Sequence, residues 1–275
     1  LTPRRMPTSA VHDIMRVLNA SDFAIAEKPK LGHAEERERV EREVEGLIGM
    51  AAAKDFFQKI KNSVLYVENG GSPQILRVCL NMVLTGSPGT GKTSVARLLA
   101  RYLRAFGVLT RDRFVEVNGL ELKGQYTGQT VHVVKEKIAS AMGGALFVDE
   151  AYALVDRAGG DRFSMEAIRT LLTEVENNRS NLFVVLAGYK DRMDELVASD
   201  PGLARRFSNA LHLDDYSAGE LALICEKVAR ERFGLTFAPG LLPQLETHIA
   251  VAHAADIPEQ NGGLAVNLVE AAFRR

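Results

Sequence analysis

The fold of this chain is decided by one stretch, Gly86-Ser87-Pro88-Gly89-Thr90-Gly91-Lys92-Thr93. It matches the phosphate-binding loop pattern G-x-x-x-x-G-K-[ST] in every fixed position. Residues 78–85 before it form an apolar run that is typical of a buried parallel strand. Residues 93–103 after it have the spacing of an amphipathic helix. Strand, glycine-rich loop and helix N-terminus are the context that this motif needs to bind phosphate.

Physical chemistry assigns a role to each part of the loop. Glycines let the backbone curl so that successive N–H groups face one concavity, and the helix N-terminus adds unpaired donors and the positive end of its dipole. Lys92 is predicted to reach the β- and γ-phosphates, and the Thr93 hydroxyl to coordinate Mg²⁺. We therefore predict that ATP and Mg²⁺ bind at Gly86, Ser87, Pro88, Gly89, Thr90, Gly91, Lys92, Thr93 and Ser94. The alternative, a tight turn that binds nothing, is disfavoured by the flanking strand and helix.

Composition places the chain among ordinary globular proteins. Its 275 residues allow one large domain or two smaller ones, and 46% are hydrophobic and 25% charged. The net charge of −1 gives no global field that would attract nucleic acid or an anionic membrane. No run of about 18 apolar residues occurs. We predict a soluble protein, cytoplasmic or organellar, with neither nucleic acid nor membrane as partner.

The cysteines and the chain ends carry smaller indications. Cys79 and Cys225 lie in apolar patterns and are interpreted as buried thiols, which fits a reducing compartment. The chain begins at Leu1 and stops within a helical pattern, so we interpret it as a fragment or a processed form that shows no targeting segment.

A second chemical landmark lies at residues 144–152. Four apolar residues predict a buried strand that ends in Asp149 and Glu150. Acids at the carboxyl edge of a parallel sheet lie beside the phosphate loop, so Asp149 is predicted to hold Mg²⁺ and Glu150 to act as general base toward water. A strand that ends in Asp-Glu is on its own usually a solvated turn, and it is the upstream loop that favours the functional interpretation.

Two further places are candidates for contact with ligands. Leu47, Ile48 and Gly49 could line an adenine pocket, because a flat base needs apolar walls and close backbone approach. The alternative is an ordinary loop that packs its aliphatic side chains. Tyr126 stands between glycines, where an exposed aromatic suits the gripping of a peptide, and the alternative is a half-buried tyrosine.

The remaining pattern completes an α/β fold. Residues 113–117, 181–189 and 209–213 predict further strands, and after Asp215 the pattern is helical at 218–232, 239–252 and 263–275. The predicted fold class is a five-stranded parallel sheet flanked by helices, followed by a small all-helical lid. The predicted domains are a peripheral helical or linker segment at 1–44, an α/β core at 45–213 and the lid at 214–275, with Ser217 as N-cap of its first helix.

Arg205 and Arg206 come just before the last predicted strand. Paired arginines on a surface turn are usually only solvated. In a ring of ATPase subunits, however, such an arginine can reach the γ-phosphate of a neighbour and act in trans.

Residues 45–275 resemble the AAA+ ATPases, and within them the CbbX/CfxQ branch of red-type Rubisco activases, EccA C-terminal domains and sporulation stage V protein K. The resemblance rests on the loop together with GQYTG at 124–128, GGALFVDEAY at 143–152, AGYKDRM at 187–193 and PGLARR at 201–206. Each motif is weak alone, but in this order they are highly specific.

The resemblance implies a role for each matching residue. It implies the Walker A pair at Lys92 and Thr93, and the Walker B pair at Asp149 and Glu150. Tyr126 matches a pore-loop aromatic and Arg206 the arginine finger, so that the implied catalytic residues are Lys92, Glu150 and Arg206. Tyr189 falls at the sensor-1 position, where many members carry asparagine.

The last helix departs from the family pattern. Gly263 stands where the sensor-2 arginine belongs, and Val266 where a second arginine belongs. Since that arginine ties the lid to the γ-phosphate, its loss is expected to weaken the coupling of ATP to lid closure.

Two hypotheses follow for function. The first is an ATPase that assembles into a homo-oligomeric ring, which the resemblance implies to be hexameric, or into a hetero-ring, and that threads or remodels a client protein. The second is a nucleotide-gated scaffold that binds ATP and hydrolyses little. A DNA-dependent motor is disfavoured, because no basic stripe with interleaved aromatics occurs.

Overall fold

One parallel sheet organises the chain. The computed structural model describes residues 32–72, 80–124, 126, 128–155 and 161–274. The strands are β1 Met82–Gly86, β2 Phe114–Asn118, β3 Ala145–Asp149, β4 Phe183–Gly188 and β5 Asn209–Leu213. They lie in the order β2-β3-β4-β1-β5 with every neighbouring pair parallel. The predicted five-stranded parallel sheet is confirmed.

Helices cover the sheet and form the C-terminal region. They are α1 Gly32–Glu45, α2 Ala51–Glu68, α3 Lys92–Ala105, α4 Gln129–Ala141, α5 Arg162–Asn177, α6 Lys190–Ser199, α7 Pro201–Arg206, α8 Ala218–Phe233, α9 Leu241–Ala252, α10 Ile257–Gln260 and α11 Gly262–Phe273. Short 3-10 turns follow β2 at Gly119–Leu122 and β3 at Ala151–Leu154. No described helix is both long enough and apolar enough to cross a membrane.

The central strands are apolar on both faces because helices cover both faces of the sheet. Successive side chains of a strand point to opposite sides. Phe147 of β3 accordingly packs in the core with α2 and α3, whereas its neighbour Leu146 packs in the core with α4 and α5. Both side chains are fully buried. The sheet therefore fixes the carboxyl ends of β1, β3 and β4 in a rigid frame.

The charged helix α1 lies within the segment predicted to be peripheral, and it packs one side against the core. Val40 is fully buried in the core beside α3. Glu43 accepts two hydrogen bonds from Arg101 of α3, at 2.6 and 2.8 Å, and this pairing lowers the pKa of Glu43. Two glutamates of α1, Glu36 and Glu43, thus pair with arginines of α3. Residues 1–31 lie outside the described part of the chain.

The C-terminal helices form a separate small core. Leu221 and Cys225 of α8, Ile249 of α9 and Leu264 of α11 are buried together. Ser217 caps α8 in a capping box with Glu220, which confirms the predicted cap. Burial raises the pKa of the Cys225 thiol to about 11, so this cysteine is a buried thiol as predicted. Cys79 lies outside the described residues.

Candidate functional site

A cleft of about 350 Å³ opens at the carboxyl ends of β1, β3 and β4. This volume falls within the range of about 300–1,000 Å³ that is usual for small-molecule sites. Its walls come from the phosphate loop, the acidic end of β3 and the end of β4. The residues that line it are Pro88, Gly89, Gly91, Lys92, Thr93, Ser94, Asp149, Glu150, Tyr152, Gly188 and Tyr189.

The phosphate loop adopts a backbone that requires glycine. Gly89 has φ 73° and Gly91 has φ 87°, both in the left-handed region. A Cβ on Gly89 would lie only 2.0 Å from the carbonyl oxygen of Gln260. The buried hydroxyl of Thr90 donates to the Ser87 carbonyl at 2.9 Å and braces the turn. The loop is thus held in a curled shape directly before α3.

Lys92 places a partly desolvated cation in the cleft. Its Nζ donates to the carbonyl oxygens of Gly86 and Ser87, at 2.9 Å each. Burial lowers the pKa of Lys92, and the negative charge of Asp149 opposes that shift. A partly desolvated cation favours an anionic partner, and here two loop carbonyls accept its hydrogen bonds.

Asp149 and Thr93 lie on the walls of the same cleft, as a magnesium site would require. Asp149 ends β3 and accepts a hydrogen bond from the backbone N–H of Glu150 at 2.9 Å. Within the described residues, no three His, Cys, Asp or Glu side chains are grouped so that they could hold a metal. Mg²⁺ fits this sparse donor set, because it usually takes one or two protein oxygens and completes its shell with water and phosphate oxygens.

Glu150 is held at both carboxylate oxygens. Oε1 accepts a hydrogen bond from the Tyr152 hydroxyl at 3.1 Å, and Oε2 accepts one from Asn118 Nδ2 at 3.0 Å. The residue itself has φ 49° and ψ 39°, which is uncommon for a side chain other than glycine. The carboxylate therefore has a fixed orientation on the wall of the cleft.

Sequence reasoning missed Asn118 and gave no role to Tyr152. Asn118 ends β2 and is the register partner of Asp149 in the neighbouring strand. A polar residue at the carboxyl end of a strand beside β3 was the available signal, and it required knowledge of the strand order. Burial, together with the hydrogen bond to Glu150, raises the pKa of Tyr152 to about 12, so its hydroxyl stays protonated at neutral pH.

Tyr189 closes the cleft from the end of β4. Its ring stacks on that of Tyr152 with centroids 5.8 Å apart, and Lys92 Nζ lies 6.0 Å from its centroid. The guanidinium of Arg192 lies 4.9 Å from the centroid of the Tyr152 ring. Two stacked aromatic rings thus line this part of the cleft.

Leu47, Ile48 and Gly49 do not line this cleft. They lie partly buried between α1 and α2, and a Cβ on Gly49 would lie 2.3 Å from Glu220 Oε1 in the first turn of α8. The next residue, Met50, has its Cε 2.9 Å from where a Gly91 Cβ would be. The segment therefore lies between the phosphate loop, which Met50 approaches, and the first turn of α8, which Gly49 approaches.

Tyr126 is exposed over 72% of its surface, so the half-buried alternative is wrong. Its backbone is fixed, because its N–H donates to Gln129 Oε1 at 3.2 Å and its carbonyl accepts from the Gln129 N–H at 3.1 Å. The ring is presented to solvent just before the first turn of α4.

Arg206 ends α7 and does not line the cleft of its own chain. Its Nε lies 3.4 Å from Glu176 Oε2, and its side chain is 27% exposed. Arg205 beside it is exposed. Neither arginine therefore contributes to the cleft of this chain.

Sequence comparison agrees with the fold and the cleft. Residues 82–214 match the family described as "ATPase family associated with various cellular activities (AAA)". The AAA domain of FIGL-1 superposes with a TM-score of 0.57 at 18% identity, over 82% of this chain and 70% of that one. That similarity supports the fold. Residues 82–214 of this chain are thus a domain of the AAA family.

Three similar curated proteins indicate one branch within the family. CfxQ of Xanthobacter flavus is 38% identical over 211 residues, which are 75% of this chain and 65% of that protein. ESX-3 secretion system protein EccA3 of Mycobacterium leprae is 34% identical over 81% of this chain and 35% of its own length. The chloroplastic ribulose bisphosphate carboxylase/oxygenase activase of Cyanidioschyzon merolae is 42% identical over 56% of this chain and 52% of its own length. The chain thus spans about a third to two thirds of these relatives, and the predicted CbbX/CfxQ branch is confirmed.

Proposed function

We propose that this chain binds ATP with Mg²⁺ in the cleft and hydrolyses it within a ring of subunits that remodels a client protein. The observation that carries the proposal is the meeting of Lys92, Asp149 and Glu150 on the walls of one cleft. The FIGL-1 AAA domain, which shares the fold, has been solved in complex with ADP.

Each residue of the cleft has a task in this proposal. The loop from Gly86 to Ser94 and Lys92 hold the phosphates, because backbone N–H groups and a buried cation favour them. Asp149 and the Thr93 hydroxyl would hold Mg²⁺, which supplies neutralisation of phosphate charge when bound. Glu150 accepts a proton from the attacking water. Tyr189, at the sensor-1 position, stands beside the Lys92 cation.

The parts outside the cleft act between molecules. Arg206 would serve the cleft of a neighbouring subunit in a hexameric homo-ring or a hetero-ring, since it lies away from its own. The exposed ring of Tyr126 would grip an unfolded segment of the client. We place adenine against Leu47, Ile48 and Gly49, behind the loop. The core is assigned to residues 45–213, joined by α1, and the lid to 214–275.

The test combines binding with turnover. Calorimetry with ATP or ADP and Mg²⁺ is expected to show heat of association, and phosphate release per chain is expected to rise with protein concentration, because Arg206 acts only after assembly. Arg206→Ala is expected to remove that rise and leave the heat in place. Absence of heat with either nucleotide would contradict the proposal.

Gly263 and Val266 favour the second candidate, a scaffold that binds nucleotide and hydrolyses little. Gly263 has no side chain to offer the ligand, although the space for one is open, since an added Cβ would meet no atom within 4 Å. Heat of association without phosphate release at any protein concentration would select this function over the first.

The hydroxyl of Tyr152 restrains Glu150, and its removal has a testable result. Tyr152→Phe keeps the ring that stacks on Tyr189 and frees Oε1 for water. We expect phosphate release to rise about fivefold, which corresponds to one hydrogen bond of about 1 kcal/mol. The same change in a Glu150→Gln background is expected to have no effect, since the two residues act together. A fall in release would show instead that the hydroxyl holds Glu150 in its productive orientation.

A further inference from the structure

Asn261 joins three segments of the chain behind the phosphate loop. Its side chain is fully buried. Nδ2 donates to the carbonyl oxygen of Pro88 at 3.1 Å and to Asp215 Oδ1 at 3.0 Å. Oδ1 accepts from the backbone N–H of Tyr216 at 3.0 Å. One amide thus connects the loop, the segment that leads out of the sheet, and the start of α11.

The loop turns its carbonyls toward the C-terminal helices. A loop whose N–H groups face a ligand must satisfy its carbonyl groups elsewhere. The N–H of Gly262 donates to the Gly89 carbonyl at 3.1 Å, and the Tyr216 hydroxyl donates to the Thr90 carbonyl at 3.5 Å. Together with Asn261, these contacts bind the carbonyls of Pro88, Gly89 and Thr90.

The contact between the phosphate loop and the start of α11 is close, and Asn261 has an unfavourable backbone conformation there. Gly89 approaches Gln260 so closely that any Cβ would clash with its carbonyl. Asn261 has φ 45° and ψ −122°, outside the regions that side chains other than glycine usually occupy. Such conformations persist where the surrounding contacts determine them, and they cluster at functional positions. The amide of Asn261 is the group that makes those contacts.

We infer that Asn261 is a positioning residue for the phosphate loop and transmits the state of the loop to the C-terminal helices. The inference rests on the proposed function in that the ligand is a nucleotide. Nucleotide that shifts the loop carbonyls changes the free energy of the Asn261 contacts, and by reciprocity those contacts change nucleotide affinity. The coupling runs through the main chain of the loop and needs no side chain at Gly263.

The experiment uses ADP with Mg²⁺ as probe and three variants. Asn261→Ala removes the amide, and Asn261→Gly removes it while relieving the positive φ. Asn267→Ala is the matched control, because this exposed asparagine of the same helix bonds only to Gln260 Oε1 among the contacts described, at 3.2 Å. Calorimetry gives the Kd for ADP, and hydrogen exchange of residues 262–273 with and without ADP gives the response of α11.

In the wild-type protein and in Asn267→Ala, ADP is expected to slow exchange in α11. Both Asn261 variants are expected to bind ADP about tenfold more weakly and to show no such slowing. An Asn261→Gly protein that keeps wild-type affinity and slowing would overturn the inference, since the amide would then be dispensable. Wild-type protein that binds ADP without any response in α11 would overturn it and leave the proposed function standing. Wild-type protein that binds no ADP would end both.

Discussion

Glu150→Gln is expected to lower phosphate release at least about 100-fold, since general base catalysis contributes about 100- to 10,000-fold. ATP binding should remain, because Lys92 and the loop are untouched. The glutamine fits the existing contacts: its oxygen can accept from Asn118 Nδ2, and its NH₂ group can donate to the Tyr152 oxygen. The loss is therefore one of chemistry and not of fold.

The control is Glu116→Gln, which removes a carboxylate from β2. Glu116 pairs at 3.1 Å with Arg97 and is 45% exposed, so its loss should cost little stability. Release measured by a coupled phosphate assay, at a concentration that allows assembly, should be unchanged in this variant. Equal release from Glu150→Gln and the wild-type protein would defeat the assignment of Glu150 as the base.

Local patterns were sufficient for most of the sheet. The strand predicted at 209–213 is β5, and the helix predicted at 93–103 is α3 with two more residues at its end and one at its start. Both rest on hydrophobic periodicity and on loop chemistry, which neighbouring residues determine. The phosphate loop was found for the same reason, since all its parts are consecutive.

Contacts between distant segments were not available from the sequence. Asn118 meets Glu150 only because β2 lies next to β3, and Asn261 meets Pro88 across a separation of 173 residues. The packing of α1 was missed likewise, because the sequence does not show that a carboxylate of this helix pairs with Arg101 on α3. In each case a polar side chain had a partner that only the tertiary fold supplies.

Lys92→Ala is expected to weaken nucleotide binding about 10- to 150-fold while the protein stays folded. The side chain is a partly desolvated cation, and burial lowers its pKa; removing it therefore removes an unfavourable charge from the ligand-free protein. The carbonyls of Gly86 and Ser87 lose their donor, and this loss offsets part of that gain. The phosphates, in contrast, lose a charge-assisted contact that is worth about 1.5–3 kcal/mol.

Thermal unfolding with and without nucleotide separates the two effects. At about 100 times its Kd a nucleotide stabilises the folded state by about 2.7 kcal/mol, which for a chain of this size raises Tm by about 5 °C. Wild-type protein and Lys190→Ala, which removes an exposed lysine paired with Asp194 on α6, should both show this rise with ATP and Mg²⁺. Lys92→Ala should show half of this rise or less at the same concentration, with a ligand-free Tm close to that of the wild-type protein. A full rise in Lys92→Ala would mean that the nucleotide binds elsewhere, since the loop cation is the main positive charge on the walls of the cleft.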